Sequence, residues 1–183
     1  MTGSRVPGQG GEPAPAGLNI EMSAEALATI TEQVRVGGTV LETGGILLGH
    51  NHSDGCTILV AGEPGPNAVR HRRAFSRDRA HAEGLANAAW AEHQATWVGE
   101  WHTHPEGLAT PSEIDLASYL DHLNDPDLGF EYFISLIVAL LPAEQEQHPM
   151  EHGSGGGPVV LTAWVVRAGS VEPARITTQQ ETP

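Results

Sequence analysis

Apolar and polar positions alternate along this chain in short runs bounded by turn signals. Runs of four to ten residues rich in apolar and β-branched side chains are typical of strands. They predict seven strands, at 18–22, 39–48, 56–61, 69–75, 96–104, 133–141 and 159–166, and a further short strand is compatible with 174–178. The continuous apolar run at 133–141 predicts a buried central strand.

Three other segments place apolar residues at helical spacing. Ser23 is a suitable N-cap for a helix that runs to about Arg35, and Asp78 for one that runs to about His93. A third helix follows Thr110. Strands interleaved with helices predict a single mixed α/β domain, in which helices flank one mixed sheet.

The remaining segments are polar and rich in glycine or proline. Residues 1–17 are predicted to be a disordered arm, 143–158 a flexible insertion, and 169–183 a C-terminal tail. The domain itself is therefore predicted to span 18–168. The composition of the insertion favours an unconstrained linker.

The chemistry is concentrated near the end of the strand at 96–104. Side chains two residues apart on a strand share a face and lie roughly 6.5–7 Å apart along it, so His102 and His104 are expected to point the same way. Pro105 ends the strand. Two histidines in this arrangement are close enough to bind one metal ion.

The helix that follows brings a carboxylate to the same place. Thr110 is predicted as its N-cap, with Pro111 at the first helical position and Glu113 completing a capping box. Ser112 and Asp115 then lie on one face of the first turns. An apolar stripe of Leu116, Leu120 and Leu123 is expected to dock this helix on the sheet.

His102, His104 and Asp115 together have the composition of a catalytic zinc site. Three protein ligands leave one position open for water, whose pKa the metal lowers. His50 and His52 form a second His-x-His pair, but a turn signal follows and no carboxylate on a helix lies at comparable spacing. We expect no metal at that pair.

At this point the sequence resembles a known family. His-x-His-Pro, six residues, then Ser-x-x-Asp, at His102–Pro105 and Ser112–Asp115, resembles the JAMM signature of the MPN (JAB) zinc metalloproteases. The family also has a glutamate before a glycine-rich apolar strand, and Glu42 to Gly49 resembles that segment. The resemblance covers about residues 18–142 and implies the JAMM/MPN fold, which is similar to that of cytidine deaminases.

The resemblance implies a role for each matching residue. His102, His104 and Asp115 would bind one zinc ion, Glu42 would be the general base, and Ser112 would help to stabilise the oxyanion. Glu100 competes with Glu42, since it shares the face of His102; it could alternatively orient a histidine.

Within the family, the run from Gly99 to Pro105 resembles bacterial members that accompany E1-like and E2-like enzymes, some of them in anti-phage operons. This implies an isopeptidase that removes or processes a ubiquitin-like protein at its C-terminus. Two alternatives stay open. One is a hydrolase that releases an amino acid from a sulfur-carrier protein, and the other is a non-catalytic MPN scaffold, which the complete residue set disfavours.

The composition limits the classes of partner that we expect this protein to bind. The 183 residues carry a formal net charge of −14, and all nine basic residues are arginines. Nucleic acid is not expected as a partner, because phosphate binding needs clustered basic residues. The basic cluster is expected either to face acidic groups of a protein partner or of this chain, or to be solvated; it consists of Arg70, Arg72 and Arg73 with Arg77 and Arg79.

The sequence also indicates where in the cell the protein is expected. We expect a cytoplasmic protein with no membrane segment, because no secretory signal is evident and the apolar run at 133–141 is too short to cross a bilayer. Cys56 is the single cysteine, so no intrachain disulfide can form, and it is expected to be a small buried apolar residue.

Overall fold

The computed structural model describes residues 17–141 and 158–179. The predicted arm at 1–17 and insertion at 143–158 lie outside this part of the chain, apart from the last residue of each. In chain order the elements are β1 (Asn19–Met22), α1 (Ala24–Gly37), β2 (Gly44–Asn51), β3 (Gly55–Ala61), β4 (Val69–Arg70), β5 (Phe75–Ser76), α2 (Arg79–His93), β6 (Thr96–His104), α3 (Glu113–Asn124), β7 (Phe133–Leu140), β8 (Val159–Arg167) and β9 (Ser170–Thr178).

Seven of the strands form one mixed sheet that closes into a barrel. Their order is β1-β3-β2-β6-β7-β8-β9, and β9 pairs with β1 in parallel to close the circle. β6 and β7 are also parallel, whereas β2 is antiparallel to both β3 and β6. The predicted mixed α/β domain with flanking helices is confirmed, and closure leaves the sheet without a free edge.

Apolar side chains fill the barrel and the spaces under its helices. Trp101, Ile134 and Leu136 are fully buried in the main cluster, to which α1 contributes Ala26 and Ile30. Ser23 and Asp78 cap α1 and α2 as predicted. β7 is buried at every position, which confirms the predicted central strand.

Three boundaries differ from the prediction. β2 begins at Gly44 rather than at residue 39, because Thr103 Oγ1 accepts a hydrogen bond from the Thr43 N–H (2.9 Å) in place of a backbone carbonyl. The single strand predicted at 69–75 is two short strands, β4 and β5. They form a two-stranded ribbon, in which the His71 N–H donates to the Ala74 carbonyl (2.9 Å) and closes the turn.

The third difference concerns the predicted tail. Residues 170–178 form β9, which pairs with β8 on one side and with β1 on the other. The domain therefore continues past residue 168. Among the described residues, α2 is the longest helix with 15 residues, and none is long and apolar enough to cross a membrane.

Candidate metal centre and active site

β6 presents its two histidines on one side and Trp101 on the other. Trp101 is fully buried in the barrel, where its indole N–H donates to the Gly62 carbonyl (2.9 Å). Alternation along the strand places His102 and His104 on the opposite face, where both are buried. The predicted shared face of the histidines is confirmed.

The N-terminus of α3 supplies the carboxylate, but the helix begins later than predicted. Ser112, and not Thr110, is the N-cap. Its Oγ accepts from the Asp115 N–H (3.2 Å), and the Asp115 carboxylate accepts from the Ser112 N–H (2.7 Å). Asp115 is thus the acidic member of the capping box, and the box fixes the position of its carboxylate before any ligand binds.

The side of α3 that docks on the barrel also differs in detail. Leu116 and Leu123 pack against the sheet as predicted, but Leu120 is exposed. Tyr119 takes the buried position instead, stacked on Phe133. Its hydroxyl is within hydrogen-bond distance of Ser135 Oγ (3.0 Å), which satisfies the buried polar atom.

The three predicted ligands converge. His102 Nε2 lies 3.3 Å from Asp115 Oδ1, and His104 Nε2 lies 3.3 Å from Asp115 Oδ2. Two ligands of one tetrahedral zinc ion, each about 2.0–2.1 Å from the metal, are expected to be about 3.3 Å apart. The two Nε2 atoms are somewhat closer, at 2.9 Å. Among the described residues this is the one cluster of three or more His, Cys, Asp or Glu side chains that fits a metal ion.

A backbone carbonyl orients His104. Its Nδ1 lies 2.7 Å from the carbonyl oxygen of Leu108, which can only accept. The ring hydrogen is therefore on Nδ1, and in the neutral ring the Nε2 lone pair faces the other two ligands. A hydrogen bond of this kind on the far nitrogen is typical of metal-binding histidines, and the donor set fits a divalent metal ion.

The protonation equilibria of the cluster agree with a cation site. Burial raises the pKa of Asp115, but its close contacts with His102, His104 and Ser112 outweigh the effect of burial and hold this pKa well below its usual range. Burial lowers the pKa of His102, but the neighbouring Asp115 carboxylate leaves it raised overall. The aspartate is therefore ionised, and its negative charge favours a positive charge beside it.

Glycine allows β2 to pass close to the metal ligands. Gly44 pairs with His102, and a Cβ at Gly44 would lie 2.3 Å from the Trp101 carbonyl oxygen and 2.8 Å from His102 Cβ. At Gly45, a Cβ would lie 1.9 Å from the carbonyl oxygen of Gly62. The two glycines that follow Glu42 are thus required by the close approach of the backbone.

Glu42 and Ser112 line one pocket together with His104. The pocket has a volume of about 360 Å³ and opens to solvent. Glu42 is 7% exposed, and burial raises the pKa of its carboxyl, although the nearby His102 and His104 oppose this shift. Ser112 Oγ accepts from the Asp115 N–H, so its hydroxyl hydrogen remains available to a bound group.

Glu100 has a different neighbourhood. Its carboxylate accepts from the Arg77 guanidinium (2.8 Å), which also lies over the Trp97 ring, 4.9 Å from the ring centre. Within the described chain, Glu100 makes no hydrogen bond to either histidine and does not line the pocket of Glu42. Of the two acids, Glu42 shares a pocket with His104, whereas Glu100 is held in an ion pair with Arg77.

Two other sequence candidates lie elsewhere. His52 is exposed and its Nε2 is 2.9 Å from Thr57 Oγ1, in the hairpin that joins β2 and β3. No carboxylate joins this pair among the described residues. Cys56 is buried in the barrel as expected, and burial raises the pKa of its thiol to about 12, which excludes it as a thiolate nucleophile near neutral pH.

The sequence reasoning missed the residues that form the mouth of the pocket. Arg72, Arg73, Glu106 and Leu108 line it, yet only the clustering of the arginines was visible in the sequence. Leu108 contacts His104 through its backbone carbonyl, so the type of residue at position 108 gives no indication of this contact. The arginines reach the pocket because residues 69–76 form a ribbon with a tight turn.

Several proteins of known name are similar to this chain in sequence. The chain is similar to three proteins named CD-NTase/cGAS isopeptidase. It is 34% identical over 84 residues to the one from Escherichia coli, 34% over 102 residues to the one from Pseudomonas aeruginosa, and 32% over 80 residues to the one from Vibrio cholerae. These matches cover 45%, 55% and 43% of this chain, and 54%, 65% and 51% of the relatives. The chain thus spans about half to two thirds of their length.

The fold has a counterpart of known structure. Protein DSY2949 from Desulfitobacterium hafniense superposes with a TM-score of 0.60 at 18% identity, over 88% of this chain and 94% of that protein. At this identity the likeness establishes the fold alone. The family model described as prokaryotic homologs of the JAB domain matches residues 21–153, which include Glu42 and all three metal ligands. With most of its length matched, this chain belongs to the prokaryotic JAB family.

Proposed function

We propose that this protein is a zinc-dependent isopeptidase that hydrolyses the amide bond between a CD-NTase and the molecule to which it is conjugated. The observation that carries the proposal is the convergence of His102, His104 and Asp115 beside a pocket that also holds Glu42. The reaction type is the one for which the relatives are named, and their names also suggest the substrate.

Three features support zinc as the metal. The set of two imidazoles and one carboxylate is common in catalytic zinc sites. The Leu108 carbonyl leaves the Nε2 lone pair of His104 free, and Asp115 is held as an anion. A zinc ion at this place would supply Lewis acidity and lower the pKa of water.

The residues of the chain would divide the remaining work. Glu42 would take a proton from the attacking water as its oxygen bonds to the carbonyl carbon, and would pass that proton to the amine nitrogen as the C–N bond breaks. The second proton of the water also ends on the amine, so the products are a carboxylate and an ammonium group. A carboxyl group whose pKa burial has raised is suited to both steps near neutral pH.

Ser112 would stabilise the oxygen on which negative charge develops. Its hydroxyl hydrogen is free, and its position is fixed because Ser112 caps α3. A donor held in place in this way loses little freedom as the charge forms. The same residue would thus start the helix that carries Asp115 and assist the reaction.

The substrate class predicted from sequence was a ubiquitin-like protein, with E1-like and E2-like enzymes as further partners. The names of the relatives favour a CD-NTase as one component of the conjugate. A conjugation pathway remains the proposed context, since an isopeptidase requires an enzyme that forms the bond. Complete retention of the ligand set argues against a non-catalytic scaffold.

Intact-mass analysis tests the proposal. Isopeptide conjugates of a CD-NTase and of a ubiquitin-like protein would be incubated with zinc-loaded enzyme, with chelator-stripped enzyme and with Glu42→Gln. We expect the wild type to release both components of the CD-NTase conjugate, and neither control to do so. The proposal fails if the stripped enzyme cleaves equally well, or if the zinc-loaded enzyme cleaves neither conjugate.

A further inference from the structure

The pocket of Glu42 and His104 has two unlike sides. The turn between β4 and β5 contributes Arg72 and Arg73, whereas the loop after β6 and the start of α3 contribute Leu108 and Ile114. Neither side takes part in the proposed hydrolysis. Both sides line the pocket beside Glu42 and His104, where a substrate would have to bind for the proposed hydrolysis.

Arg73 is occupied within the chain. Its guanidinium donates to both carboxylate oxygens of Glu106, at distances of 2.8–3.1 Å. This ion pair connects the turn to the loop that follows His104 and largely cancels both charges. Arg73 therefore has little capacity left for a substrate carboxylate.

Arg72 differs from its neighbour. It is exposed and lines the same pocket, and no ion pair to it is formed within residues 17–141 and 158–179. Arg72 thus presents an uncompensated guanidinium at the mouth of the pocket.

The apolar side indicates a polypeptide as the occupant. The side chains of Leu108 and Ile114 are 60% and 63% exposed, although both are large and apolar. Adjacent exposed apolar residues at a pocket mouth are typical of a surface that a protein covers. An amino acid released from a carrier protein would leave most of this area in water.

We propose that Arg72 is a specificity residue that pairs with an acidic side chain flanking the isopeptide bond, while Leu108 and Ile114 contact an apolar side chain beside it. This inference rests on the proposed function and adds a substrate class to it. A guanidinium pairs with carboxylates through two parallel hydrogen bonds. Glu113, on the α3 side of the pocket, would repel a second acidic residue there.

The net charge of the protein also favours Arg72 as a contact for an acidic residue. With a formal net charge of −14, most of the surface repels an acidic partner. An acidic segment would therefore be directed to the few cationic positions, of which Arg72 lines the same pocket as Glu42.

The test uses a series of isopeptide-linked peptides in which one residue flanking the bond is Glu, Gln or Lys. We expect the wild type to favour Glu over Lys by about tenfold in kcat/KM, a ratio that falls at high salt because the pair is exposed. Arg72→Glu should reverse this order, and Arg72→Gln should abolish it. Arg175→Glu makes the same charge change at an exposed site on β9 and should keep the wild-type order.

Binding is measured in parallel, so that the result does not depend on turnover. Fluorescence anisotropy would compare the same peptides on Glu42→Gln and on Glu42→Gln with Arg72→Glu. An affinity order that is reversed by the second substitution supports the inference even if no peptide is cleaved, in which case only the proposed function fails. An order that is identical with and without Arg72→Glu overturns it.

Discussion

Two His-x-His pairs lie at the ends of neighbouring antiparallel strands, and only one of them is placed to bind a metal. His102 and His104 on β6 are buried and lie 3.3 Å from Asp115. His50 lies within β2, and His52 just past its end is exposed and contacts Thr57. The local pattern is the same in both. The metal site is distinguished by what surrounds the pair: a carboxylate fixed by a helix cap and a carbonyl that orients one ring.

Removing the carboxylate should make the first pair resemble the second. We expect Asp115→Ala to lower zinc affinity by more than about 100-fold, beyond the 10- to 100-fold typical of losing an outer hydrogen-bond partner. Hydrolysis should fall to background, and one bound zinc per chain should become none. Competition with a fluorescent chelator measures the affinity. One zinc retained at unchanged affinity would rule out Asp115 as a ligand.

A matched pair of glycines separates damage to the strand from damage to the site. A Cβ at Gly44 would meet the Trp101 carbonyl and His102, and a Cβ at Gly49 would lie 1.9 Å from the Thr57 carbonyl oxygen. Each alanine should cost about 2–4 kcal/mol of unfolding free energy, because the strand must shift.

Only Gly44→Ala should also lower zinc affinity, by about tenfold, since it displaces His102. Gly49→Ala lies next to His50 and should leave zinc binding of the folded protein unchanged. Urea unfolding and chelator competition give the two quantities. Equal loss of zinc affinity in both variants would mean that His102 is displaced through general loosening of β2.

Substitution of Ser112 tests whether the cap of α3 and the proposed reaction depend on the same hydroxyl group. Ser112→Ala removes the acceptor for the Asp115 N–H but keeps the backbone N–H that binds the carboxylate. We expect a loss of about 1 kcal/mol in unfolding free energy. Zinc affinity should fall only a few-fold, which stopped-flow metal exchange can measure.

The proposed oxyanion role of Ser112 requires a larger effect on turnover. Loss of a donor to the developing oxyanion should lower kcat by about 10²-fold or more. Thr110→Ala is the matched control, because Thr110 is not the cap, and it should leave stability and kcat near wild type. A kcat of Ser112→Ala within twofold of wild type would confine Ser112 to the cap.

The smallest effect is expected at the second pair. His50→Ala combined with His52→Ala should leave zinc stoichiometry and affinity unchanged, because no carboxylate joins these side chains in the described chain. Exposed substitutions of this kind usually change stability by less than about 0.5 kcal/mol. If the wild type bound a second zinc ion and this variant did not, His50 and His52 would bind metal without a carboxylate from a helix.

The ligand set was predictable because each step depended on local geometry. Alternation on a strand brings His102 and His104 to one face, and a helix N-cap seven residues after Pro105 can return Asp115 to them. The exact cap was not predictable, since Thr110 and Ser112 each have an acidic residue three positions later. Backbone hydrogen bonds around Asp115, which residue types do not report, decide in favour of Ser112.

The pairing of strands that are distant in sequence was the other feature that the sequence did not predict. Residues 170–178 alternate weakly and contain Pro173, so their pattern alone indicated no more than a short strand at 174–178. They become β9 because β1 and β8 both offer unpaired edges to it. The pocket mouth was missed for a similar reason, since the position of Arg72 depends on the turn of the ribbon formed by β4 and β5.

Cys56 lies where β1 and β3 pair in parallel, at a seam of the closed barrel. The rate at which a reagent alkylates its thiol would therefore report how often this seam opens. As the single thiol of the chain, 2% exposed and with a pKa of about 12, it should be unreactive while the seam is closed. Alkylation would then proceed only through molecules that have opened. Its rate in mild denaturant therefore reports the opening equilibrium without any engineered label, and the rise in protection on adding zinc would measure how tightly the metal centre is coupled to the far side of the sheet.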